Sequence, residues 1–350
     1  MFIFKFLTFL IALVTIPILF ADRISPAIFW PAGFATYLIL PILILNVLLL
    51  IFWVYKRSFL TAFLLIPSLV IGHHFFFRTF SFHLNNEEKG SVTVLSYNVR
   101  VFNVYDHLNK NKPEIAKNML SWINSDNSDI KCFQDFYNDN KSNIHNTLEK
   151  LSQNGKYKYY FTKTSENRIG ASFGVAVFSK YPIIRKGNIN FEKSFNKGLY
   201  VDVKINKDTI RVINIHLESM SIDEDAILTG EGKKGSWVNL QKVLKNGMIK
   251  RALQMEEVES VIANSPHRVI LCGDLNEMPY AYTYSRLRKY LRNSFEDAGT
   301  GFGFSYNGKL FFLRIDNHFY GEGIKVKSFR TLSDIEFSDH FPLKASYSLE

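Results

Sequence analysis

The chain has 350 residues, a net charge of +10 and two cysteines, and 47% of its residues are hydrophobic. This length accommodates one large domain or two modest ones. Two cysteines are too few for a disulfide framework, which excludes a disulfide-rich secreted scaffold. Cys132 and Cys272 both lie in apolar, strand-like runs, so we expect them to be small buried core residues rather than a bridge or a metal pair.

Composition divides the chain near residue 80. Five of the 42 basic residues and one of the 32 acidic residues precede that point. Three apolar stretches lie there, at about 4–21, 28–55 and 59–79, and a helix needs about 20 apolar residues to cross the hydrocarbon core of a membrane. We therefore predict three transmembrane helices. The alternative for the first stretch is a signal peptide, with Lys5 as its charged start.

The orientation of these helices follows from their short loops. Lys56 and Arg57 outweigh the Asp22–Arg23 pair in the other loop, and positive charge favours the cytoplasmic side. With Lys5 and that basic loop inside, the third helix delivers the rest of the chain to the extracytoplasmic side of the cell inner membrane. We predict a linker at 81–90 and a catalytic domain at 91–350, with a mild basic bias that suits anionic substrates or anionic lipid.

The part after residue 90 alternates strands with helices. Runs rich in valine, isoleucine and phenylalanine predict strands at 91–99, 129–134, 173–180, 209–217 and 268–274. Helical spacing of apolar residues predicts helices at 113–125 and 237–263. This alternation is typical of a layered α/β or α+β domain. The segment 221–236 has no apolar period and is predicted to be an exposed loop.

Polar residues stand where these predicted strands end. Taken singly, each has a structural explanation, because Asn and Asp commonly form turns and helix caps. Together, carboxylates and amides at the same ends of several strands make an oxygen-rich cavity suited to Mg²⁺ or Mn²⁺, with histidines beside it for proton transfer. The residues concerned are Asn98, Gln134, Asp135, His216, Glu218, Asp274, Asn276, Asp316, Asp339 and His340.

The ordered series SYN, QD, HLES, GDLN, RID and SDH resembles the endonuclease/exonuclease/phosphatase superfamily, the deoxyribonuclease-I-like fold. The match covers about residues 91–349 and includes FGVAVFSKYPI, which is similar to that family's segment between its second and third motifs. The resemblance implies an α/β fold of four layers, in which two central, mostly antiparallel sheets are flanked by helices. The site is then expected at one edge of the sheets.

The resemblance also implies roles for individual residues. Asp274 is similar to the aspartate that orients or deprotonates the attacking water, and Asn276 would hold a phosphate oxygen. His340, steadied by Asp316, and His216 would contact the phosphate or supply a proton to the leaving group. The metal-binding positions implied for Mg²⁺ or Mn²⁺ are Asn98, Asp135 and Asp339.

One position departs from the family pattern. The second motif normally ends in glutamate, whereas this chain has Asp135, which is one methylene shorter. Mg²⁺ tolerates little change in its bonds of about 2.1 Å, so the ion must move toward the strand, bind through water, or be a more tolerant metal. A degenerate protein that binds a phosphate ligand without turnover is therefore an alternative.

The substrate stays open at this stage. A membrane tether favours a lipid head group or a related diester, because it raises the effective concentration. A membrane-anchored nuclease acting on DNA or RNA is the alternative, and it requires basic residues for several phosphates. The candidates are Lys233, Lys234, Lys242, Lys245, Lys250 and Arg251, although spaced lysines on a long helix are usually a solvated face. The sequence does not indicate an oligomeric state.

Overall fold

A computed structural model shows the fold, and it describes residues 1–83, 90–105, 114–192, 194, 196–219 and 236–350. The loop predicted at 221–236 lies outside these residues except for its last position, which begins a helix. The helices within the described residues are α1 (Phe2–Leu19), α2 (Trp30–Thr36), α3 (Ile39–Tyr55), α4 (Phe59–Phe63), α5 (Ile66–Thr79), α6 (Glu114–Ser125), α7 (Thr147–Ser152), α8 (Ser236–Ala263), α9 (Tyr282–Leu287) and α10 (Ser294–Ala298).

Helices α1, α3 and α5 pack together as an N-terminal bundle. Polar side chains join them in its interior, where Asn46 of α3 donates to Thr15 of α1 at 2.9 Å and accepts from Ser68 of α5 at 3.0 Å. Trp53, near the end of α3, donates to Thr8, near the start of α1, at 2.9 Å, so these two helices are antiparallel. Hydrogen bonds of this kind link helices where the surroundings are apolar.

The prediction of three transmembrane helices is corrected by this structure. Among the described residues, one helix is long and apolar enough to cross a membrane, Phe2–Arg23. The bent pair α2 and α3, with 49° between them, forms a second candidate if it is counted as one span. The third predicted stretch, 59–79, is divided between α4 and α5. That division leaves a 14-residue helix that carries two histidines and Arg78, so it is too short and too polar to qualify.

Two six-stranded sheets form the rest of the chain. The first sheet has the order β10 (Arg292–Asn293), β12 (Asp316–Tyr320), β9 (Arg268–Asp274), β8 (Asp208–His216), β7 (Lys197–Ile205) and β6 (Ile183–Asn190). The second has the order β13 (Ile324–Thr331), β14 (Leu343–Leu349), β2 (Val92–Asn98), β3 (Ile130–Asn138), β5 (Ser172–Ser179) and β4 (Lys158–Glu166). A separate ribbon pairs β1 (Ser81–Phe82) with β11 (Thr300–Gly301).

Most neighbouring strands are antiparallel, and β2/β3 and β8/β9 are parallel. The facing sides of the two sheets bury a core rich in valine and isoleucine, which includes the free thiols of Cys132 and Cys272 as predicted. On the outer faces, α6 covers the second sheet and α8 covers the first. The predicted sandwich of four layers with two central, mostly antiparallel sheets is therefore confirmed.

A buried amide joins the two sheets behind their polar edge. Asn214 of β8 donates to the carbonyl oxygens of Phe133 and Ala176 in the opposite sheet, both at 3.0 Å. Its own oxygen accepts from Gln134 Nε2 at 2.6 Å. Gln134 was predicted to mark a strand end. In the structure it is a buried hydrogen-bond donor in the core between the sheets.

Replacing this amide should destabilise the fold. We expect Asn214→Leu to lower the free energy of unfolding by about 3 kcal/mol, because it removes the acceptor of one buried Gln134 N–H and the donor to two buried backbone carbonyls, while Gln134 keeps its hydrogen bond to Ser96. Chemical denaturation of the purified chain measures this change. The control is Asn264→Leu, at an exposed position, where a change within about 0.5 kcal/mol is expected. Equal effects of the two variants would contradict the prediction.

Candidate active site

The first sheet aligns three of the predicted site residues in one row. His216 is paired with Asp274 across β8 and β9, and Asp274 is paired with Asp316 across β9 and β12. Because β8 and β9 are parallel, both end at the same edge, and antiparallel β12 begins there. In the facing sheet, β2 ends at Asn98 on the same side of the molecule. The polar strand ends that the sequence indicated therefore meet at one edge.

Asp274 lies at the centre of this cluster and is almost fully buried. Its Oδ2 accepts from Asn98 Nδ2 at 3.0 Å and lies 3.5 Å from His216 Nε2 and 3.8 Å from His340 Nε2. Its Oδ1 accepts the backbone N–H of Asn276 at 2.8 Å. The carboxylate thus contacts residues from both sheets and is fixed in orientation.

His340 and Asp316 form a buried pair beside it. His340 Nδ1 lies 2.8 Å from Asp316 Oδ2, and this contact turns Nε2 toward Asp274. The same Asp316 oxygen accepts from Ser305 Oγ at 2.8 Å. A carboxylate on one ring nitrogen fixes the tautomer and the ring orientation of a histidine. The predicted steadying of His340 by Asp316 is present in this geometry.

Asp135 does not end its strand as the sequence suggested. Strand β3 continues to Asn138, and its pairing with β5 shifts register between Phe133 and Phe136. Asp135 lies within this bulge with φ of 46°, and a bulge re-aims a side chain by breaking the alternation of the strand. Its carboxylate is thereby turned into the site, 3.3 Å from His216 Nδ1 and within hydrogen-bonding contact of Asn98.

Asp339 lies at the rim. Its Oδ2 is 3.5 Å from Arg100 Nε, and both side chains are partly exposed. Ser338 beside it donates to the carbonyl oxygen of Asn98 at 2.8 Å, which ties this loop to the end of β2. Residues 100–103, which follow β2, all have φ between 44° and 54°, a left-handed conformation that costs energy in residues other than glycine. This strained turn places Arg100 against Asp339.

The GDLN segment needs its glycine for close packing. Gly273 has φ of +144°, and a side chain there would collide with the carbonyl oxygen of Ile215 in β8. Asn276 adopts φ of 51°, a conformation that asparagine tolerates better than most residues. Its Nδ2 donates to the carbonyl oxygen of Leu217 at 3.1 Å, so the loop is fixed against the end of β8.

The buried charges shift one another's pKa values. Burial lowers the pKa of His216, but Asp135 and Asp274 outweigh this effect and raise it to about 9. Burial likewise lowers the pKa of His340, and Asp316 and Asp274 raise it to about 10. Burial raises the pKa of Asp135, whereas His216 and the Asn98 hydrogen bond bring it below its usual value. At neutral pH both imidazoles are therefore cationic beside an ionised Asp135, whereas burial raises the pKa of Asp316.

Several contributors were not found by sequence reasoning. Ser305 supports Asp316, and the ring of Tyr306 lies edge-on to His340 with centroids 5.4 Å apart. Glu277, which directly follows Asn276, is a buried acid, with Arg251 Nε 3.0 Å from its carboxylate. Arg251 is likewise fully buried and is not part of a solvated basic face. The apolar residues Met278, Pro279 and Tyr280, which follow Glu277 directly, were the one sequence signal for the burial of Glu277.

A cleft opens beside His216 and Asp135. Its volume is about 310 Å³, within the usual range for small-molecule sites. The residues that line it include polar groups from both sheets, namely Tyr105, Thr164, Ser165, Asn196 and Lys197. A ligand in this cleft would therefore lie against Asp135 and His216, with Lys197 as a neighbouring cation.

The donor set fits a hard divalent cation. Ligand atoms of Asp274, Asp316 and His340 lie within 4.8 Å of one another, and all three residues are buried. Asp316 is already engaged by His340 and Ser305, whereas Asp135 is half-exposed, ionised and adjacent to the Asn98 amide. Carboxylate and amide oxygens are the ligands that Mg²⁺ and Mn²⁺ prefer. The described residues thus offer the carboxylate oxygens of Asp135 and Asp274, whereas Asn98 turns its Nδ2 toward Asp274 and its Oδ1 accepts the N–H of Arg100 at 3.1 Å.

Two mixed sheets with a carboxylate and histidine cluster at their edge define a phosphoesterase type of fold and site. The chain matches the model of the Endonuclease/Exonuclease/phosphatase family over residues 95–340. The chain belongs to this family, whose members are hydrolases acting on phosphoester bonds. No curated protein sequence matched it.

Solved structures share the fold at low identity. An endonuclease/exonuclease/phosphatase from Beutenbergia cavernae is 16% identical with a TM-score of 0.52, over 74% of this chain and 71% of that chain. A mannosyl-6-phosphatase from Bacteroides thetaiotaomicron is 17% identical with a TM-score of 0.51, over 73% and 99%. The human Nocturnin catalytic domain, with bound sulfate, is 15% identical with a TM-score of 0.51, over 77% and 97%. At these identities the likeness supports the fold and does not identify a substrate.

Proposed function

We propose that this protein is a membrane-anchored, divalent-metal-dependent phosphoesterase that hydrolyses a phosphodiester or phosphomonoester with an activated water. The observation that carries the proposal is the convergence of Asn98, His216 and His340 on the single buried carboxylate of Asp274. A buried carboxylate held by three donors is oriented to position a water and to take up its proton.

The other residues of the cluster act on the phosphate. His216 and His340 direct ring nitrogens toward the same point and donate hydrogen bonds to phosphate oxygens or a proton to the leaving group. Asn276 donates one N–H of its side-chain amide to the carbonyl oxygen of Leu217, so the second N–H is available to a phosphate oxygen. Asp316 keeps His340 in place. Donors fixed in advance around the site stabilise the charge that develops during phosphoryl transfer.

Asn98 and Asp135 would hold Mg²⁺ or Mn²⁺, with Asp339 supporting the site through its loop. When bound, such an ion neutralises charge on the phosphate oxygens and activates the leaving group. The ionised Asp135 carboxylate supplies one hard donor. Asn98 would supply its amide oxygen after rotation of the amide, because its Nδ2 faces Asp274 in this structure.

The N-terminal bundle supports membrane integration. Helix α1 qualifies as a spanning segment by length and hydropathy, and many of its apolar side chains are exposed. Lys5 lies at one end of the bundle with Lys56 and Arg57, whereas Asp22 and Arg78 at the other end contact the catalytic domain. We propose that α1 crosses the inner membrane with Lys5 in the cytoplasm, which puts its Asp22 end, and the catalytic domain that this end contacts, on the extracytoplasmic side.

A substrate panel tests this function. The purified full chain should hydrolyse bis-p-nitrophenyl phosphate and a phospholipid in the presence of Mg²⁺ or Mn²⁺, and plasmid DNA more slowly. The nuclease alternative predicts the reverse order, with steep salt dependence of DNA binding. Ligand binding without turnover on all three substrates would support the degenerate alternative, to which the shorter Asp135 gives some weight.

The shorter carboxylate at Asp135 permits a direct test of the metal assignment. We expect Asp135→Glu to retain or raise Mg²⁺-dependent hydrolysis, up to several-fold, because glutamate restores the reach that is usual in this family. Initial rates across a Mg²⁺ titration measure the change, with Asp139→Glu in the exposed turn after β3 as the control. A large loss of rate in Asp135→Glu would show that the site has adapted to the shorter side chain.

A further inference from the structure

Six phenylalanine rings form a connected row on the surface of the catalytic domain, here called the phenylalanine ridge. Neighbouring ring centroids are 4.6 to 6.5 Å apart, and the rings of Phe302 and Phe304 are stacked. Phe82 is 78% exposed and Phe311 64% exposed. The members of the ridge are Phe80, Phe82, Phe302, Phe304, Phe311 and Phe312. Large connected apolar surfaces of this kind mark interaction sites.

The ridge is continuous with the N-terminal bundle. Helix α5 ends at Thr79, one residue before the ridge begins, and Phe77 on that helix is exposed. Strand β1 then pairs with β11, and this pairing brings Phe80 against Phe302 with ring centroids 4.8 Å apart. The phenylalanine ridge therefore begins directly after the exposed helices of the bundle end.

A cavity of about 550 Å³ opens at the ridge. It is large enough for a small-molecule or chain ligand. Its walls are mainly aromatic, with Phe295, Phe302, Phe304, Phe311, Phe329 and Phe341 among the lining residues. The lining also includes Thr300, Arg330, Thr331 and Ser333, so the apolar part of a ligand is expected to lie against the phenylalanine rings.

This cavity shares a wall with the candidate active site. Phe304 directly precedes Ser305, which supports Asp316, and Phe341 directly follows His340. The backbone N–H of Phe341 donates to the carbonyl oxygen of Ser305 at 2.7 Å, which joins the two segments. A ligand chain in the cavity would thus contact the two segments that carry Ser305 and His340.

We propose that the phenylalanine ridge contacts the bilayer and that its cavity holds a hydrocarbon chain of a membrane lipid, so that the substrate is a phosphate ester carrying such a chain. This inference rests on the proposed phosphoesterase function. A lipid fits better than another protein, because the ridge continues the exposed apolar surface of the helices. A nucleic acid would require several basic groups for its phosphates beside the rings, whereas Arg330 is the one basic residue among the described residues that line the cavity.

Photochemical crosslinking tests the contact without requiring activity. The full chain is reconstituted in phosphatidylglycerol vesicles with a phospholipid that carries a diazirine on its acyl chain. Crosslinked peptides should include residues 302–312 in addition to the N-terminal helices, and the double variant Phe311→Ser, Phe312→Ser should reduce the 302–312 yield at least threefold. The control is Ile184→Ser, an exposed apolar position on β6 at the far edge of its sheet. Crosslinks confined to residues 2–79, or crosslinks between two copies of the chain, would overturn the proposal.

Hydrolysis tests the substrate class. The double variant Phe311→Ser, Phe312→Ser should raise KM at least fivefold for a long-chain phosphodiester with a single defined head group. It should leave kcat/KM for bis-p-nitrophenyl phosphate unchanged. Equal changes for both substrates would overturn the chain-binding role. If the wild-type chain hydrolyses neither compound, both the phosphoesterase function and the substrate claim are refuted. The crosslinking result does not depend on hydrolysis, so the two failures can be told apart.

Discussion

Replacing Asp274 with alanine should lower the rate of bis-p-nitrophenyl phosphate hydrolysis at least a thousandfold while the chain stays folded. The carboxylate is the shared partner of Asn98, His216 and His340, and no other described group makes contacts with all three. Its removal deletes the group that positions the water and accepts its proton. General base catalysis of this kind accelerates a reaction by about 10² to 10⁴. It also leaves two imidazoles without a carboxylate between them. Initial rates at saturating Mg²⁺ measure the effect.

Two controls separate chemistry from folding. Asp208→Ala removes an exposed carboxylate at the start of β8, at the opposite end of that strand from His216, and should leave the rate unchanged. Asp274→Asn keeps the shape and the Asn276 contact but lacks the charge, so it should be nearly as inactive as Asp274→Ala. Wild-type rates in either folded Asp274 variant would remove this aspartate from the mechanism.

The second large effect is expected at Arg78, where the N-terminal bundle meets the catalytic domain. Its guanidinium lies 3.3 Å from the Asp22 carboxylate and donates to the Pro279 carbonyl oxygen and to Ser285 Oγ, both at 3.1 Å. The Arg78 carbonyl oxygen accepts from Arg314. These contacts link the helices to the loop that follows Asn276 and to the segment before Asp316.

We expect Arg78→Met to lower the free energy of unfolding by about 3 kcal/mol, because it leaves Asp22 buried without its cation. It should also lower kcat about tenfold, since small displacements of catalytic groups cost rate steeply. Arg23→Met, the same change at an exposed neighbouring position, should have little effect. Denaturation and steady-state kinetics of the full chain measure both quantities.

The double variant Asp22→Leu, Arg78→Met distinguishes the ion pair from a general packing defect. An apolar pair of similar volume is often no less stable than a buried ion pair, so at least half of the lost free energy should return. If the double variant is less stable than Arg78→Met alone, the account of this contact is wrong. The same contacts mean that a fragment beginning after residue 80 lacks partners of the 279–285 loop.

The position of the site at one edge of the first sheet was predictable, because polar residues directly next to apolar strand runs mark where those strands end. His216, Asp274 and Asp316 each stand next to an apolar run, and the topology then aligns them in one row. That the cluster hydrolyses phosphate esters, and that Asn98, Asp135 and Asp339 bind metal, stay predictions.

The strand bulge at Asp135 and the contacts between distant parts of the chain left no comparable signal in the sequence. The bulge that turns Asp135 inward depends on pairing with β5, which is set by the whole sheet. The contacts of Asp22 and Arg78 with the loop join residues more than 200 positions apart. The burial of Glu277 depends on Arg251 from a distant helix. Each of these is determined by tertiary packing, which outweighs local sequence preference.

A metal titration of the full chain tests the central claim most directly. The purified protein is stripped with EDTA, and its initial rate on bis-p-nitrophenyl phosphate is followed as Mg²⁺ or Mn²⁺ is added back. The account predicts no turnover without metal, saturable recovery with it, and a flat line for Asp274→Ala at every metal concentration. Turnover by the stripped wild-type chain, or equal recovery in the Asp274→Ala variant, would contradict a metal-dependent phosphoesterase centred on Asp274.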